Sequence, residues 1–266
     1  SIIMSYLNLN LDKEFSGKRI VVTGASRGLG AMACRALAYR GAKIAMLSRS
    51  KKEMDNLKNR LKNPSSHISI KVDLLKNNAI KLAIKKAKKF LKQIDIVLHV
   101  AGGGFGLKEK LINNKDLKTL LQINLGAPAE INRLVVSGKN KSQFLKLVHV
   151  GSIASNEAVA SVGYNVAKSA LATYVRSLGR ELYKDKVVVT GILPGGFIAP
   201  GNAMERLRKK NIKAYKKFIK TRLPRGLMSN ADEVLPMLLL LCSKHSSMMG
   251  GCLVPIDAGE GKAYQN

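Results

Sequence analysis

A tyrosine and a lysine four positions apart, Tyr164 and Lys168, are the first pair in this chain that could do chemistry. Residues i and i+4 of a helix share one face, so this spacing would place the phenol beside the ammonium. A nearby positive charge favours the phenolate, and we expect the pKa of Tyr164 to lie below its ordinary value of about 10. Such a tyrosine could exchange a proton with an alcohol or a carbonyl. Ser152 could hydrogen-bond the same oxygen.

A glycine-rich turn, TGASRGLG at residues 23–30, is a second candidate site and follows a short apolar run. Its glycines at positions 24, 28 and 30 suit a backbone that turns tightly and approaches a pyrophosphate. The helix that opens there would offer unpaired N–H groups and a favourable dipole to a phosphate. The turn therefore predicts a dinucleotide site, and a purely structural turn is the alternative.

The end of the second predicted strand, Leu47-Ser48-Arg49, bears on the choice of nucleotide. Sites selective for NAD place an acidic residue there for the ribose 2′-hydroxyl, and this chain has none. Arg27 and Arg49 could instead face a 2′-phosphate, because a planar guanidinium suits phosphate geometry. The pattern predicts NADP(H) as the cofactor, and two ordinary surface arginines are the alternative.

Short apolar runs alternate with helical stretches along the whole chain. The runs are continuous and rich in β-branched residues, which is typical of a parallel sheet covered on both faces. We expect a single α/β domain over residues 17–266, doubly wound, with a mostly parallel sheet of about seven strands, after an N-terminal extension of residues 1–16. Two longer helices should surround the fifth strand. The other predicted helices are 31–39, 52–62, 79–91, 164–182 and 231–241, and the strands are 20–22, 43–47, 68–72, 94–100, 145–150, 187–193 and 252–256.

The composition excludes several classes of protein. With 46% hydrophobic and 24% charged residues, the 266-residue chain has globular values and is not expected to be disordered. Three cysteines without metal-like spacing argue against a disulfide scaffold or a metal site, and favour a reducing, cytoplasmic location. No apolar run approaches the roughly 20 residues of a membrane span, and the N-terminus lacks a signal-peptide pattern, so no membrane partner is expected.

The charge balance is strongly basic, with 46 Lys and Arg against 17 Asp and Glu. One interpretation is a surface that binds polyanions, and the other is a set of solvated helix faces. The basic residues are spread over many predicted helices, tryptophan is absent and aromatics make up 5% of the chain. Because bases would find few stacking platforms, nucleic acid is not expected to be the main partner.

Together the motifs make the chain resemble the short-chain dehydrogenase/reductase family from about residue 17 to 261. The matching pieces occur in the family's order, and their conjunction is more specific than any one of them. The C-terminal half is similar to the 3-oxoacyl-carrier-protein reductase branch, and also to many sugar and polyol dehydrogenases. The pieces are TGASRGLG, VDL at 72–74, AG at 101–102, INLG at 123–126, GSIAS at 151–155, YNVAK at 164–168, PG at 194–195 and VPIDAG at 254–259.

The resemblance implies a Rossmann-fold oxidoreductase with a catalytic Asn-Ser-Tyr-Lys tetrad. Tyr164 would be the general acid and base, and Ser152 would orient the substrate oxygen. Lys168 would hold the nicotinamide ribose and tune Tyr164, while Asn124 would support a water that relays protons.

The resemblance also assigns a set of NADP(H)-binding residues. Asp73 would contact the adenine edge, and Phe197 would offer its backbone to the carboxamide. The full set is Gly24, Ser26, Arg27, Gly28, Leu29, Gly30, Ser48, Arg49, Asp73, Leu74, Ala101, Gly102, Tyr164, Lys168, Pro194, Gly195 and Phe197.

Two positions depart from the family pattern. Where the family usually has Asn-Asn-Ala-Gly, this chain has His99-Val100-Ala101-Gly102, and we expect His99 to be a core residue at a strand end. Ala199 stands where a threonine often contacts the carboxamide, which removes one hydrogen bond of about 1 kcal/mol.

Residues 199–222 are the expected substrate lid. One interpretation of its basic side chains is capture of an anionic or carrier-linked substrate, such as a phosphopantetheine-linked acyl chain or a nucleotide sugar. The other is a solvated amphipathic lid. The basic residues are Arg206, Arg208, Lys209, Lys210, Lys213, Lys216, Lys217, Lys220 and Arg222.

Two functions from different classes follow from the sequence. The first is an NADP(H)-dependent carbonyl reductase or alcohol dehydrogenase acting on a small molecule. The second is a non-catalytic, dinucleotide-binding regulatory or nucleic-acid-binding protein that uses the basic surface. The helices around Asn124 and Tyr164 resemble those that pair subunits in the family, so a homotetramer or homodimer is expected.

Overall fold

The computed structural model describes residues 10–263, so most of the predicted N-terminal extension lies outside the described residues. The part that is described begins with a short 3₁₀ helix, Leu11–Lys13. Phe15 follows with 1% exposure, and its N–H donates to the carbonyl of Arg40 at 2.9 Å. The end of the extension is therefore part of the domain's core.

Strands and helices alternate as the apolar runs predict. The strands are β1 (Arg19–Thr23), β2 (Lys43–Ser48), β3 (His67–Lys71), β4 (Ile96–His99), β5 (Leu145–Val150), β6 (Val187–Pro194), β7 (Phe197–Ile198), β8 (Ser229–Asn230) and β9 (Leu253–Ile256). The helices are α1 (Gly28–Tyr39), α2 (Lys51–Lys58), α3 (Asn77–Leu91), α4 (Asn114–Leu121), α5 (Ala127–Val136), α6 (Val162–Leu182), α7 (Ala203–Lys210), α8 (Ile212–Arg222) and α9 (Ala231–Cys242).

Seven strands form one sheet in the order β3-β2-β1-β4-β5-β6-β9, and every neighbouring pair is parallel. The doubly wound α/β prediction is confirmed. The short strands β7 and β8 form a separate parallel pair that brackets α7 and α8. A strand of two residues is too short to show a periodic pattern, so this pair could not be predicted from the sequence.

Helices cover both faces of the sheet, and each face has its own core. One core joins the sheet to α1 and α9, through residues such as Leu37 and Leu238. The other joins it to α3, α5 and α6, through residues such as Ile84 and Ile131. Successive β1 residues belong to opposite cores, as Ile20, Val21 and Val22 do, because side chains alternate along a strand. Burial on both faces explains why the strands have continuous apolar runs.

The predicted helix over 52–62 is wrong at its end, since α2 stops at Lys58. The next turns tighten into bonds from Arg60 N to Leu57 O at 2.9 Å and from Leu61 N to Lys58 O at 3.1 Å. Asn63 then adopts a left-handed conformation, with φ of 54°. A residue before proline is disfavoured in the helical region, which fits the break ahead of Pro64.

No helix within residues 10–263 is both long enough and apolar enough to cross a bilayer.

All three cysteines are free thiols. Burial raises the pKa of both Cys34 and Cys242 to about 12, so these two thiols stay protonated at neutral pH.

The strand order reverses direction between β1 and β4, which opens a crevice at the carboxyl edge of the sheet. The Thr23 hydroxyl closes the floor of this crevice, because its oxygen accepts the N–H groups of Val100 and Ala101, both at 3.2 Å. The loops after β1 and β4 are therefore fixed against each other where a ligand would bind.

Candidate active site

The glycine turn after β1 is packed so closely that its three glycine positions have no room for side chains. A Cβ on Gly30 would lie 2.1 Å from the carbonyl oxygen of Gly24. Gly24 has φ of 66°, and a Cβ there would lie 2.8 Å from the nitrogen of Ala101. Gly28 has φ of 56°, and its Cβ would meet the Pro200 carbonyl oxygen at 3.1 Å. The turn thus lies between the loop after β4 and the start of the lid.

The N-terminus of α1 opens from this turn without a side-chain cap at Arg27. Its first N–H groups are therefore available to a phosphate, together with the positive end of the helix dipole. Leu29 is buried in the core, so its side chain faces away from the crevice. The shape and polarity of the turn fit the pyrophosphate of a dinucleotide.

Ser26 and Ser48 join the glycine turn to the end of β2 through a hydroxyl–hydroxyl bond of 2.9 Å. Arg27 and Arg49 flank this contact and are exposed. Within the part of the chain that the structure describes, neither arginine forms an ion pair with a carboxylate. Both guanidinium groups are therefore free of a carboxylate partner there, and that of Arg27 lies beside Gly201 at the start of the lid.

The predicted adenine-side residues lie where β3 ends. One Asp73 carboxylate oxygen accepts the N–H of Leu75 at 3.0 Å. The buried Leu74 offers its carbonyl to Nε2 of Gln122 at 3.1 Å. The first bond is local to the turn after β3, and the second fixes that turn against the segment that carries Gln122.

Asn124 lies in a π-helical turn, Gln122–Gly126, between α4 and α5. Its Nδ2 donates to the carbonyls of Leu120 at 2.9 Å and Gly103 at 3.0 Å, while its Oδ1 accepts the N–H of Gly103 at 3.0 Å. A Cβ on Gly102 would lie 2.8 Å from that Oδ1. Asn124 therefore holds the loop after β4, and π turns of this kind often mark functional sites.

Ser152, Tyr164 and Lys168 meet beside the end of β5. The Ser152 hydroxyl is a hydrogen-bond partner of Tyr164 and also accepts the N–H of Ala154 at 3.1 Å. Lys168 is buried, and its Nζ donates to the carbonyl of Val150 at 3.0 Å. The same Nζ lies 5.6 Å from the centre of the Tyr164 ring. The structure thus brings all three side chains to one edge of the sheet, close to Gly102.

The expected lowering of the Tyr164 pKa is wrong for this structure. Burial raises the pKa of Tyr164 above its ordinary value, and the Ser152 hydrogen bond opposes this only in part. Burial also lowers the pKa of Lys168 to about 8. Desolvation of the phenolate outweighs the lysine because Nζ is directed to a backbone carbonyl and lies over the ring.

The loop after β6 carries the predicted carboxamide contacts. Gly195 is anchored by its N–H, which donates to the carbonyl of Ile256 at 3.1 Å. The carbonyl of Phe197 already accepts Nδ2 of Asn202 at 2.7 Å. A carbonyl oxygen has a second lone pair, so this bond still allows Phe197 to accept from a ligand.

His99 is a core residue, as expected, and it belongs to a buried polar network that sequence reasoning missed. Its Nε2 donates to Oδ1 of Asn132 at 2.7 Å, and its ring stacks on His149 with centroids 4.6 Å apart. Nδ2 of Asn132 donates to the imidazole of His149 at 3.0 Å and to the Tyr174 hydroxyl at 3.1 Å. Burial lowers the pKa of His149 to about 4, and that of His99 well below its ordinary value. Both rings are neutral at pH 7 and brace β4 against β5.

Some of the basic side chains of the lid form ion pairs or hydrogen bonds within the chain. Lys209 forms an ion pair with Glu205 at 3.2 Å, and Arg222 forms one with Glu260 at 2.6 Å. Arg206 donates to the carbonyl of Gly201 at 2.5 Å. The others form no ion pair with a carboxylate in residues 10–263, namely Arg208, Lys210, Lys213, Lys216, Lys217 and Lys220. No cluster of three or more potential metal-ligating side chains occurs within that same range.

Comparisons with known proteins agree with this geometry. The family model described as short chain dehydrogenase matches residues 18–211, more than half of the chain. Carbonyl reductase family member 4 of Xenopus laevis is 25% identical over 91% of this chain and 97% of its own length. The 3-oxoacyl-(acyl-carrier-protein) reductase FabG of Aquifex aeolicus is 25% identical over 94% of this chain and 99% of its own length.

Solved structures share the fold. L-Sorbose reductase from Gluconobacter frateurii, complexed with NADPH and L-sorbose, has a TM-score of 0.85 at 22% identity, covering 95% of this chain and 100% of that chain. A short chain dehydrogenase from Burkholderia cenocepacia in complex with NADP has a TM-score of 0.81 at 21% identity, covering 94% of this chain and 100% of that chain. At these identities the likeness establishes the Rossmann-type fold.

The raised pKa of Tyr164 predicts its behaviour in an alkaline titration of the ligand-free protein. The Tyr164 phenol should stay protonated through neutral pH and ionise above pH ~10, because the folded site disfavours the phenolate. The near-ultraviolet absorbance of phenolate, measured for the parent protein minus Tyr164→Phe, isolates this group from the other six of the seven tyrosines. Ionisation of Tyr164 near pH 8 would contradict the prediction.

Proposed function

Because the chain belongs to the short-chain dehydrogenase family, we propose that it is an NADP(H)-dependent oxidoreductase that interconverts a carbonyl and an alcohol. The observation that carries the proposal is the meeting of Ser152, Tyr164 and Lys168 beside the crevice that the glycine turn lines. The family match favours this function over a non-catalytic, regulatory or nucleic-acid-binding role.

The residues present suit a nicotinamide dinucleotide. The closely packed glycines of the turn and the uncapped α1 would hold its pyrophosphate, and Arg27 and Arg49 would hold a 2′-phosphate. The loop after β6 lies at the same carboxyl edge of the parallel sheet, and there Phe197 would meet the carboxamide. When bound, the cofactor supplies or accepts the hydride, and the chain supplies geometry and charge.

Tyr164 is the proposed proton donor in the reductive direction. Its hydroxyl and that of Ser152 are hydrogen-bond partners, so both can reach one substrate oxygen. Tyr164 would give its proton to that oxygen as the carbon is reduced, and would take the proton back in oxidation. The raised pKa suits the donor role, because the phenol remains protonated at neutral pH.

Lys168 would stabilise the phenolate that remains after proton transfer. With a pKa of about 8, it is mostly protonated at pH 7 and places a positive charge beside the Tyr164 ring. Its bond to the carbonyl of Val150 fixes that charge at the end of β5. The Lys168 ammonium therefore provides a positive charge at a fixed position, and its remaining N–H donors are free to bind a ribose hydroxyl.

Charge is the property that best distinguishes the candidate substrates of this chain from one another. The curated relatives include reductases of carrier-linked 3-oxoacyl groups and, in L-xylulose reductase of Bos taurus, of a sugar. We propose a small carbonyl substrate, with the unpaired lid lysines favouring an anionic or carrier-linked group. NADPH consumption should be measured with uncharged ketones and sugars and with anionic 3-oxoacyl thioesters. If the rate of NADPH consumption with the anionic thioesters exceeded that with the uncharged substrates by less than about twofold, the lid lysines would have no role in substrate binding.

Replacing Tyr164 by phenylalanine removes the transferable proton and keeps the ring. We expect turnover of the best substrate to fall by about 10²–10⁴-fold with little change in NADPH affinity. Tyr174→Phe is the matched control, since it removes a hydroxyl from the same helix that bonds only to the buried Asn132 network. If the chemical step limits turnover and Tyr164→Phe still turns over its substrate at the parent rate, the proposed mechanism is wrong.

Replacing Arg49 by alanine should discriminate between the two cofactors. Loss of a charged hydrogen bond to a phosphate costs about 1.5–3 kcal/mol, so the NADPH dissociation constant should rise about 10- to 100-fold while that of NADH changes little. Arg60→Ala, another exposed arginine, is the control. Equal affinities of the parent protein for NADPH and NADH would contradict NADP(H) preference.

An exposed apolar strip on α6 supports the proposed homo-oligomer. Val162 and Val166 lie one turn apart with 50% and 45% exposure, next to Tyr164. Light scattering at micromolar concentration should give the mass of two or four chains, and Val166→Lys should shift it towards one. Leu82→Lys, on the outer face of α3, should not. A parent protein with the mass of a single chain would rule out the assembly.

A further inference from the structure

Glu260 is a buried acid that follows the last strand of the sheet and has no role in the site described so far. It is 6% exposed, although glutamate is seldom buried unless its charge is compensated. The turn that carries it is tightly bonded. Asp257 accepts the N–H groups of Gly259 and Gly261, both at 3.0 Å, and the N–H of Glu260 donates to the Asp257 carbonyl at 3.0 Å. The backbone thus fixes where this carboxylate points.

The two oxygens of Glu260 bind two different segments. Oε2 accepts the N–H of Gly196, in the loop after β6, at 2.5 Å. Oε1 accepts Nη2 of Arg222, the last residue of α8 in the lid, at 2.6 Å. One carboxylate therefore joins the lid to the loop that carries Phe197.

The lid packs onto the same loop next to this ion pair. A Cβ on Gly196 would lie 2.8 Å from Cε1 of Phe218, one helical turn before Arg222. The Arg222 guanidinium lies 5.2 Å from the centre of the Phe218 ring, and its Nη1 donates to the carbonyl of Val159 at 3.2 Å. Contact with Val159 ties the lid to the segment between Ser152 and Tyr164.

We propose that Glu260 is a positioning residue that latches α8 onto the loop at residues 194–197. The latch makes the position of the lid and the shape of the loop interdependent. The consequence for ligand binding rests on the proposed function, because that loop is the one expected to contact the nicotinamide carboxamide. The latch itself depends only on contacts within the chain, so it can be measured in the absence of the cofactor.

The chemistry of the pair explains why a carboxylate is needed. The N–H of Gly196 and the guanidinium of Arg222 are both donors, and an ionised carboxylate offers acceptors to both. A glutamine amide has one acceptor oxygen and one donor nitrogen, so it would leave one partner facing an N–H group. Glu260→Gln therefore opens the latch with almost no change in size.

Limited trypsin digestion tests the latch directly, because the lid contains many lysines and arginines. Glu260→Gln should raise the cleavage rate within residues 206–222 by about tenfold, as mapped by mass spectrometry, with or without NADPH. It should also raise the NADPH dissociation constant by about tenfold. Glu157→Gln is the matched control, since Glu157 holds the same C-terminal turn through the N–H groups of Lys262 and Ala263, at 2.6 and 3.0 Å. Its lid cleavage should stay within twofold of the parent.

Arg222→Met breaks the same ion pair from the lid side and serves if Glu260→Gln fails to fold. Remaining lid sites should again be cut about tenfold faster, and the double variant should be no worse than the worse single one, as for residues that act as a unit. Unchanged lid cleavage in the folded variants overturns the latch. A parent protein that does not bind NADPH overturns the proposed function instead, and the cleavage rates still decide the latch.

Discussion

The close approach of Gly30 to the carbonyl of Gly24 is the steric constraint on which the rest of the site depends. With 2.1 Å between that oxygen and a would-be Cβ, the first turn of α1 can lie against the end of β1 only if residue 30 has no side chain. This contact directs the N-terminus of α1 at the crevice. The missing side chains of Gly24 and Gly28 likewise leave room for Ala101 and Pro200, so the loop after β4 and the start of the lid both pack against the same turn.

The predicted catalytic side chains also brace the structure. Asn124 holds the loop after β4 with two hydrogen bonds to Gly103 and bonds the carbonyl of Leu120 in α4 with a third, while Lys168 holds the end of β5 with one. Their positions are thus fixed by bonds that exist without a ligand. Such preorganisation has a thermodynamic cost, since burial lowers the pKa of Lys168 to about 8 and so penalises its charged form. The penalty disappears as pH rises through about 8 towards the unfolded value of 10.5, where both states become neutral.

Local sequence patterns predicted the fold class, the seven-stranded sheet and the positions of Ser152, Tyr164 and Lys168, because apolar runs and helical spacing involve residues that are close in sequence. The predictions failed where a property depends on contacts between residues that are distant in sequence. The direction of the Tyr164 pKa depends on burial, which spacing does not show. The π turn at Asn124 interrupts an otherwise ordinary helical pattern. The Glu260 contacts join residues that are 38 and 64 positions apart, and no sequence window covers them.

The order of the strands has a consequence for how the chain acquires its structure. β1 is synthesised before the other strands but lies in the interior of the sheet, between β2 and β4, and Arg19 pairs with Asp95 across 76 positions. Long loops must close before such contacts form, which is typical of slow-folding parallel sheets. On the ribosome, the crevice cannot exist until residue 99 has emerged. The lid gains its contact with Glu260 only when that residue, which is synthesised after β9, leaves the exit tunnel, so a nascent chain that has not reached it would carry the crevice with a lid that lacks this contact.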